Sequence, residues 1–327
     1  MRKWLIIEIC VLVILVAVAL ATVVGISQGA FAPDTPDVPE TTVETIEETK
    51  ETTEPAVTWA TYPKDRKLTA QQAFVYDCQN SEFSYLLGEQ ADRVYPASIT
   101  KLFTAYVALQ FLNPEDKITA DSALDLVGVG SSVAEIEKGD VLSVEMLVEA
   151  MLLPSGNDAS YILADAAGRI IAEDETLSAS AAVAAFMKEV NGQLRAMGLS
   201  GTQFTNPDGY HSPDHYTTFA DLVVISQKVL ENKTIMKYAA TANEEVTMGA
   251  RTLEWKNTNE LINPVSEYYC PYATGLKTGQ TPSAGSCLLS SFNVEGRQYL
   301  IGVFGCPEIE DRFADTLQLL NETLGIE

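Results

Sequence analysis

Two side chains three residues apart, Ser98 and Lys101, have the makings of a nucleophile and its base. A serine hydroxyl is a poor nucleophile until a neighbouring base takes its proton, and a lysine does this only as the neutral amine. In Tyr95-Pro96-Ala97-Ser98-Ile99-Thr100-Lys101-Leu102 the turn signal Pro96 is followed by apolar residues at helical spacing: Ile99, Leu102, Phe103, Tyr106, Val107 and Phe111. That periodicity predicts a helix from about Ser98 to Leu112, packed into a core. An i, i+3 spacing puts Ser98 and Lys101 on one face. Burial among apolar side chains, with another cation nearby, would lower the pKa of the Lys101 ammonium. Unpaired N–H groups at the helix start would favour negative charge developing at Ser98. The chemistry this supports is acyl transfer through a serine ester. Alone the pair says little, because Ser-x-x-Lys arises about once by chance in a chain this long. An N-cap serine followed by a snorkelling surface lysine has the same spacing.

Two further motifs change the weight of the first. Ser155-Gly156-Asn157 falls on a turn between two expected helices, where a hydroxyl and an amide can point into a cleft. Lys277-Thr278-Gly279, followed by Gln280-Thr281, falls on an expected strand. Each arises well under once by chance, and their order along the chain makes coincidence remote.

The elements that must position these residues are legible in outline. Gln72 to Cys78 and Phe83 to Leu87 read as a hairpin around Gln79-Asn80-Ser81. Helices are expected at Glu145 to Leu153, ended by Pro154, then from Ala159, at Ala181 to Met197, and at Asp221 to Leu230. The pattern then switches to strands at Gly275 to Gln280, Ser286 to Phe292 and Tyr299 to Gly305, before a last helix from about Arg312 to Leu324. Strands at both ends with helices between them predict an α+β fold: one mostly antiparallel sheet, flanked by helices, into which a helical lobe is inserted.

Composition narrows the partners. The 327 residues carry 45 acidic against 21 basic side chains, a formal net charge of −24, without a dense Lys/Arg cluster, so nucleic acid is not expected. Only two histidines occur, His211 and His215, and catalytic zinc usually takes three well-placed ligands, so neither metal nor cofactor is expected. Cys287 and Cys306 fall almost opposite each other if their strands form a hairpin turning near Glu295-Gly296. A one-residue register difference would remove the disulfide geometry, which favours two buried free thiols. Residues 1–28 begin with Arg2 and Lys3 and continue as an apolar run from Leu5 to Ile26, the length of a membrane-spanning helix. The basic flank would stay in the cytoplasm and the rest would be exported. Ala30-Phe31-Ala32 resembles a cleavage site, but the following Pro33 favours an uncleaved anchor. Residues 29–57 are rich in Thr, Glu and Pro and read as a solvated spacer, leaving 58–327 as the globular part.

The three motifs, in this order, resemble those of penicillin-recognising serine enzymes. More closely, the sequence resembles the low-molecular-mass penicillin-binding proteins of the serine D-alanyl-D-alanine carboxypeptidase family, peptidase family S11. The resemblance rests on Pro96 to Lys101, Ser155 to Ala159, Phe204-Thr205-Asn206-Pro207-Asp208-Gly209, Gly275 to Thr281, and Ala284-Gly285. It implies a β-lactamase/transpeptidase-like fold, peptidoglycan stem peptides as substrates, and β-lactams as acylating inhibitors. It further implies that Ser98 attacks, Lys101 accepts its proton, Ser155 relays a proton to the leaving amine, and Asn157 holds the substrate amide. The N–H groups of Ser98 and Gln280 would form the oxyanion hole, and Lys277 would supply positive potential. Thr278 and Arg312 would read the terminal carboxylate, with Gly279 in the substrate-binding strand.

Two alternatives accompany this reading. A β-lactamase on the same fold would need a base for rapid deacylation, and Glu173, Asp174 and Glu175 lie in the relevant interval. A non-catalytic penicillin-binding sensor would need a cytoplasmic output, yet only about three residues precede the apolar run. His215 is read as loop structure, Trp255 and Tyr268-Tyr269 as packing or groove-lining residues, and Ser291-Phe292-Asn293 as a fortuitous repeat of the second motif. Many family members add a β-rich domain and a C-terminal anchor, so here the N-terminal segment is expected to supply membrane attachment.

Overall fold

The two ends of the folded chain, distant in sequence, meet in one antiparallel sheet of five strands. The computed structural model describes residues 66–325, so the expected membrane segment, spacer, first globular residues and Cys10 lie outside the described residues. Strands β1 (Gln72–Asp77) and β2 (Glu82–Leu87) form the expected hairpin. Strands β9 (Ala273–Thr281), β10 (Gly285–Val294) and β11 (Arg297–Cys306) come from the other end of the chain. The spatial order is β2-β1-β11-β10-β9, which leaves β9, with its Lys-Thr-Gly, at an edge. The β10–β11 turn is the anticipated one: Glu295 and Gly296 both have positive φ, as a tight two-residue hairpin loop requires.

Because side chains alternate across a strand, each sheet face has its own core. Ala73, Val75, Leu288, Ile301 and Val303 pack against Phe313, Leu317 and Leu320 of the C-terminal helix, Asp311–Leu324. Phe74, Tyr76, Leu289, Leu300 and Phe304 face the helical lobe. Burying each such large side chain contributes roughly 1.5–3 kcal/mol. The C-terminal helix is also tied to the chain start. The buried Asp315 carboxylate accepts from Arg66 at 2.6 Å, Thr69 N at 2.9 Å and Ala70 N at 2.7 Å.

The lobe enters between β2 and β9. Strand β3 (Arg93–Val94) leads to a single 3-10 turn, Ala97–Ile99, and then to α1 (Thr100–Ala108). The helix is thus shorter than its apolar periodicity suggests. Ser98 lies in the turn before it, and past Ala108 the backbone tightens into turns ahead of Pro114. Short strands β4 (Lys117–Thr119) and β5 (Val141–Ser143) pair, and Ser143 caps α2 (Val144–Leu152) by accepting from Met146 N. Helices α3 (Asn157–Ala172) and α4 (Ala179–Ala196) follow. Strand β6 (Thr217–Thr218) pairs with β3, and α5 (Phe219–Leu230) begins beside it. Sequence reasoning passed over helix α6 (Lys233–Ala239) and the hairpin of β7 (Asn243–Met248) and β8 (Arg251–Lys256). Both are short, and the hairpin buries only Val246, Met248 and Trp255, alternating with exposed polar residues. The C-terminal helix is α7.

Cys287 and Cys306 are free thiols. The ladder shifts between Ser286 and Leu288, so Ser286 stands opposite Cys306 and Cys287 falls in the irregularity. The Cys287 thiol turns to the Ala284 carbonyl at 3.4 Å and that of Cys306 to Asp315 at 3.9 Å.

Candidate active site

Ser98 sits where the sheet edge and the helical lobe meet, on a turn that two glycines allow other segments to approach. A Cβ on Gly279 of β9 would lie 2.6 Å from the Pro96 carbonyl. One on Gly209, whose φ is +82°, would lie 1.8 Å from the Ala97 carbonyl oxygen and 2.9 Å from Ser98 N. Any side chain at either position would push the nucleophile's turn away.

Lys101 has its Nζ 2.7 Å from Ser98 Oγ and donates to the Asp208 carbonyl at 2.7 Å. A carbonyl can only accept, so it takes an amine hydrogen and leaves the nitrogen lone pair of the neutral amine for the serine hydroxyl. The Lys101 side chain is fully buried, and burial pulls its pKa down to about 8 against the opposing pull of Asp208 and Asp158. The expected cationic help is felt mainly by Lys277. Burial, then Lys101 and Arg312, hold its ammonium well below the usual range. Charge at the two lysines is therefore traded: a neutral Lys101 makes it easier for Lys277 to keep its proton.

The second motif is pinned by backbone. Ser155 adopts φ 63°, Gly156 N donates to the Ala150 carbonyl at 2.9 Å, and Asn157 N donates to the Ser132 carbonyl at 2.8 Å. Asn157 is the first residue of α3 rather than a turn residue. Beneath it the buried Asp158 carboxylate accepts from Ala134 N, Ile136 N and Ala159 N. Desolvation raises its pKa while those three N–H groups favour the anion. In the third motif, Lys277 Nζ lies 3.3 Å from Thr258 Oγ1, and Thr258 Oγ1 lies 2.5 Å from Thr278 Oγ1. Thr258 N donates to the Leu153 carbonyl at 3.2 Å, which ties the third motif to the residues just before the second.

A cleft of about 500 Å³ opens above Ser98, with Asn157, Asp208 and Gln280 also on its wall. Val129, 95% exposed, and Tyr210, 46% exposed, form its outer rim, where the Tyr210 hydroxyl lies 3.4 Å from the Val129 carbonyl. The structure thus brings Ser98, Asn157 and Gln280 to the cleft and Lys101 directly onto Ser98. Ser155, Lys277, Thr278 and Gly279 are buried behind the wall. Arg312 is buried in α7, stacked on Phe313 with 4.8 Å from guanidinium to ring, its Nε without a partner, and it does not reach the wall.

Sequence reasoning passed over three residues here. Asp208 lies inside the Asn-Pro-Asp-Gly stretch and its Oδ2 is buried without a partner. Thr258 had no sequence signal, because its role follows from the segment after β8 passing beside Lys277 and Thr278 of β9. His215 was read as loop structure, yet both ring nitrogens are engaged. Other residues recede. Glu173 and Asp174 are exposed beyond the end of α3, away from the cleft, and the Glu175 carbonyl accepts from Arg169 at 2.7 Å. Trp255 is buried and donates to the Ala134 carbonyl, Tyr268 packs on Phe313, and Ser291 lies mid-strand in β10. Among the described residues no group of His, Cys, Asp and Glu is arranged to hold a metal ion.

A Ser–Lys pair at the seam of an antiparallel sheet and a helical lobe, with a lysine-bearing edge strand along the cleft, is the architecture of the penicillin-binding fold. The chain belongs to the D-alanyl-D-alanine carboxypeptidase family, peptidase family S11, whose profile matches residues 58–307. Among curated relatives, the D-alanyl-D-alanine carboxypeptidase of Streptomyces sp. (strain K15) is 32% identical over 257 residues, 75% of this chain and 84% of that protein. D-alanyl-D-alanine carboxypeptidase DacF of Bacillus subtilis is 27% identical over 237 residues, 70% of this chain. The aligned part spans only 56% of that relative's length. Among solved structures, the Streptomyces K15 DD-transpeptidase superposes with TM-score 0.70 at 28% identity, covering 80% of this chain and 99% of that one. Penicillin-binding protein D2 of Listeria monocytogenes, in a cefotaxime-bound form, gives TM-score 0.64 at 27% identity, covering 79% and 98%.

Proposed function

We propose that this protein is a serine-type D-Ala-D-Ala carboxypeptidase that removes the terminal D-alanine from peptidoglycan stem peptides. The observation that carries the reading is the 2.7 Å approach of a fully buried Lys101 amine to Ser98 Oγ at the floor of an open cleft. Lys101 takes the hydroxyl proton as Ser98 Oγ attacks the carbonyl between the two D-alanines. The N–H groups of Ser98 and Gln280 stabilise the tetrahedral oxyanion. As it collapses, the C–N bond breaks and the leaving amine takes a proton relayed from Lys101 by Ser155. Water then cleaves the ester, returning Ser98. Asn157 orients the substrate amide, and Lys277 and Thr278 attract the free carboxylate, with Arg312 adding positive potential from α7.

Residues 1–28 are proposed to hold the catalytic part, 58–327, on the outer side of the cell membrane through the acidic spacer 29–57. The support is the apolar run after Arg2 and Lys3. Among the described residues no helix is long and apolar enough to cross a membrane.

The test is mass spectrometry of the protein after incubation with penicillin and, separately, with a peptide ending in D-Ala-D-Ala. A lasting adduct on Ser98, absent in Ser98→Ala, with loss of one D-alanine from the peptide, is the expected result. Rapid loss of the adduct with hydrolysed drug would make it a β-lactamase. Neither adduct nor product would make the three motifs a relic and the mechanism wrong.

A further inference from the structure

The peptide unit joining Ala97 to Ser98 contains both the Ala97 carbonyl and the Ser98 N–H. Because that unit is planar and trans, the two groups point in opposite directions. Whatever fixes the Ala97 carbonyl therefore aims the Ser98 N–H. The fixing is needed, since Ala97 has φ 48°, a left-handed conformation that a non-glycine residue keeps only when its surroundings hold it.

The carbonyl accepts the backbone N–H of Thr100 and is further held by a relay of side chains. Thr100 Oγ1 donates to it at 2.8 Å, and Thr100 Oγ1 lies 2.8 Å from His215 Nε2. The other ring nitrogen sets the direction of the second bond. His215 Nδ1 accepts the backbone N–H of Thr205 at 3.1 Å, so Nδ1 carries no hydrogen. In a neutral imidazole the hydrogen then sits on Nε2, which donates to Thr100 and leaves the threonine hydroxyl hydrogen for the Ala97 carbonyl. The ring stays neutral because it is buried, with His211 and Lys101 further opposing charge, and its pKa falls to about 3. It is held flat against Phe204 at 4.9 Å between centroids.

We infer that His215, acting through Thr100, is a positioning residue that aims the Ser98 N–H as an oxyanion-hole donor. This rests on Ser98 being the acylated nucleophile proposed above. The relay touches neither substrate nor Ser98 Oγ, so breaking it should leave ground-state binding intact and slow the chemical step.

The test compares acylation by a fluorescent penicillin, and kcat and KM for the D-Ala-D-Ala peptide, in the full-length wild type, Thr100→Val, Thr100→Ser, His215→Leu and the double variant. Thr100→Val and His215→Leu should each slow acylation by about ten- to a hundredfold, in kcat and not KM, somewhat less than outright loss of an oxyanion donor. Thr100→Ser keeps the hydroxyl and should stay near wild type, and the double variant should be no slower than the worse single one. Thr100→Val acylating at the wild-type rate, Thr100→Ser failing as badly as Thr100→Val, or multiplicative losses would overturn the inference. If His215→Leu does not fold, ¹⁵N NMR of the wild-type imidazole decides the relay's direction: an Nε2–H tautomer near neutral pH supports it, and an Nδ1–H tautomer or an imidazolium refutes it. A wild type that is never acylated on Ser98 would condemn the proposed function, whereas unaffected variants of an active wild type condemn only this inference.

Discussion

Changing the pH titrates Lys101 in place, without a substitution. With its pKa at about 8, the neutral amine makes up about one tenth of the protein at pH 7 and about nine tenths at pH 9. Acylation by penicillin should therefore rise about tenfold per pH unit below 8 and level off above it, because the drug's own carboxylate does not titrate in that range. The groups facing the amine set where the limb falls: Asp208 and Asp158 raise it, and burial lowers it. Asp208→Asn removes one of the two carboxylates and should move the limb to lower pH, while Lys101→Arg, which cannot deprotonate, should lose at least about a thousandfold. The same shift enters stability. The folded value of about 8 lies below the ordinary 10.5, so between the two the unfolded chain holds more protons and stability rises with pH. Below about 8 the folded state carries the whole cost, about 3 kcal/mol. Stopped-flow acylation across pH 6 to 10, with denaturant melts at the same points, reads both effects. A flat acylation rate across that range, or a limb unmoved in Asp208→Asn, would refute the assignment of Lys101 as the base.

Gly209→Ala should combine the strain of a positive φ, about 1–2 kcal/mol, with a Cβ 1.8 Å from the Ala97 carbonyl oxygen. Slowed penicillin acylation together with a lower Tm is expected, and an unchanged acylation rate would contradict the packing described. Glu149 is buried on α2, its Oε1 is without a partner, and burial, with Glu244 adding to it, raises its pKa to about 7, with Lys237 opposing and Glu145 adding. Its folded value lies above the ordinary 4.5, so its contribution is fully present below that value and is lost as pH rises through about 7. Urea melts of Glu149→Gln against wild type should show the variant gaining relative stability from pH 5 to 8, and a pH-independent difference would show that the carboxyl ionises freely. Asp315→Ala leaves Arg66, Thr69 N and Ala70 N without their shared acceptor. A loss of about 3–5 kcal/mol in denaturant melts is expected, with little change in acylation per folded molecule.

The catalytic reading was legible because acyl transfer by this chemistry needs particular residue types on short local segments. Ser98 and Lys101 are three residues apart, and a turn running into a helix keeps i and i+3 together, so their contact survives the helix starting later than its apolar pattern suggests. The antiparallel sheet was legible for a similar reason: the short buried runs of β10 and β11 and the Glu295-Gly296 turn between them are local features. The β7–β8 hairpin carries such a local signal too, since Val246, Met248, Leu253 and Trp255 alternate with polar residues about Gly249-Ala250, and sequence reasoning passed over it; only its seat against Ala134 and Glu135 is tertiary.

What the sequence by itself determined is the set of chemical groups, their order, and the local geometry within each motif. Only the tertiary structure decided what those groups experience. The proton affinity of Lys101 depends on complete burial and on Asp208 and Asp158, which arrive from different segments. The same holds for Thr258 beside Lys277, His215 behind the nucleophile's turn, and the buried Arg312 whose charge is felt at Lys277. Solvation and Coulomb energies depend on distance through space, and residues remote along the chain supply most of those distances.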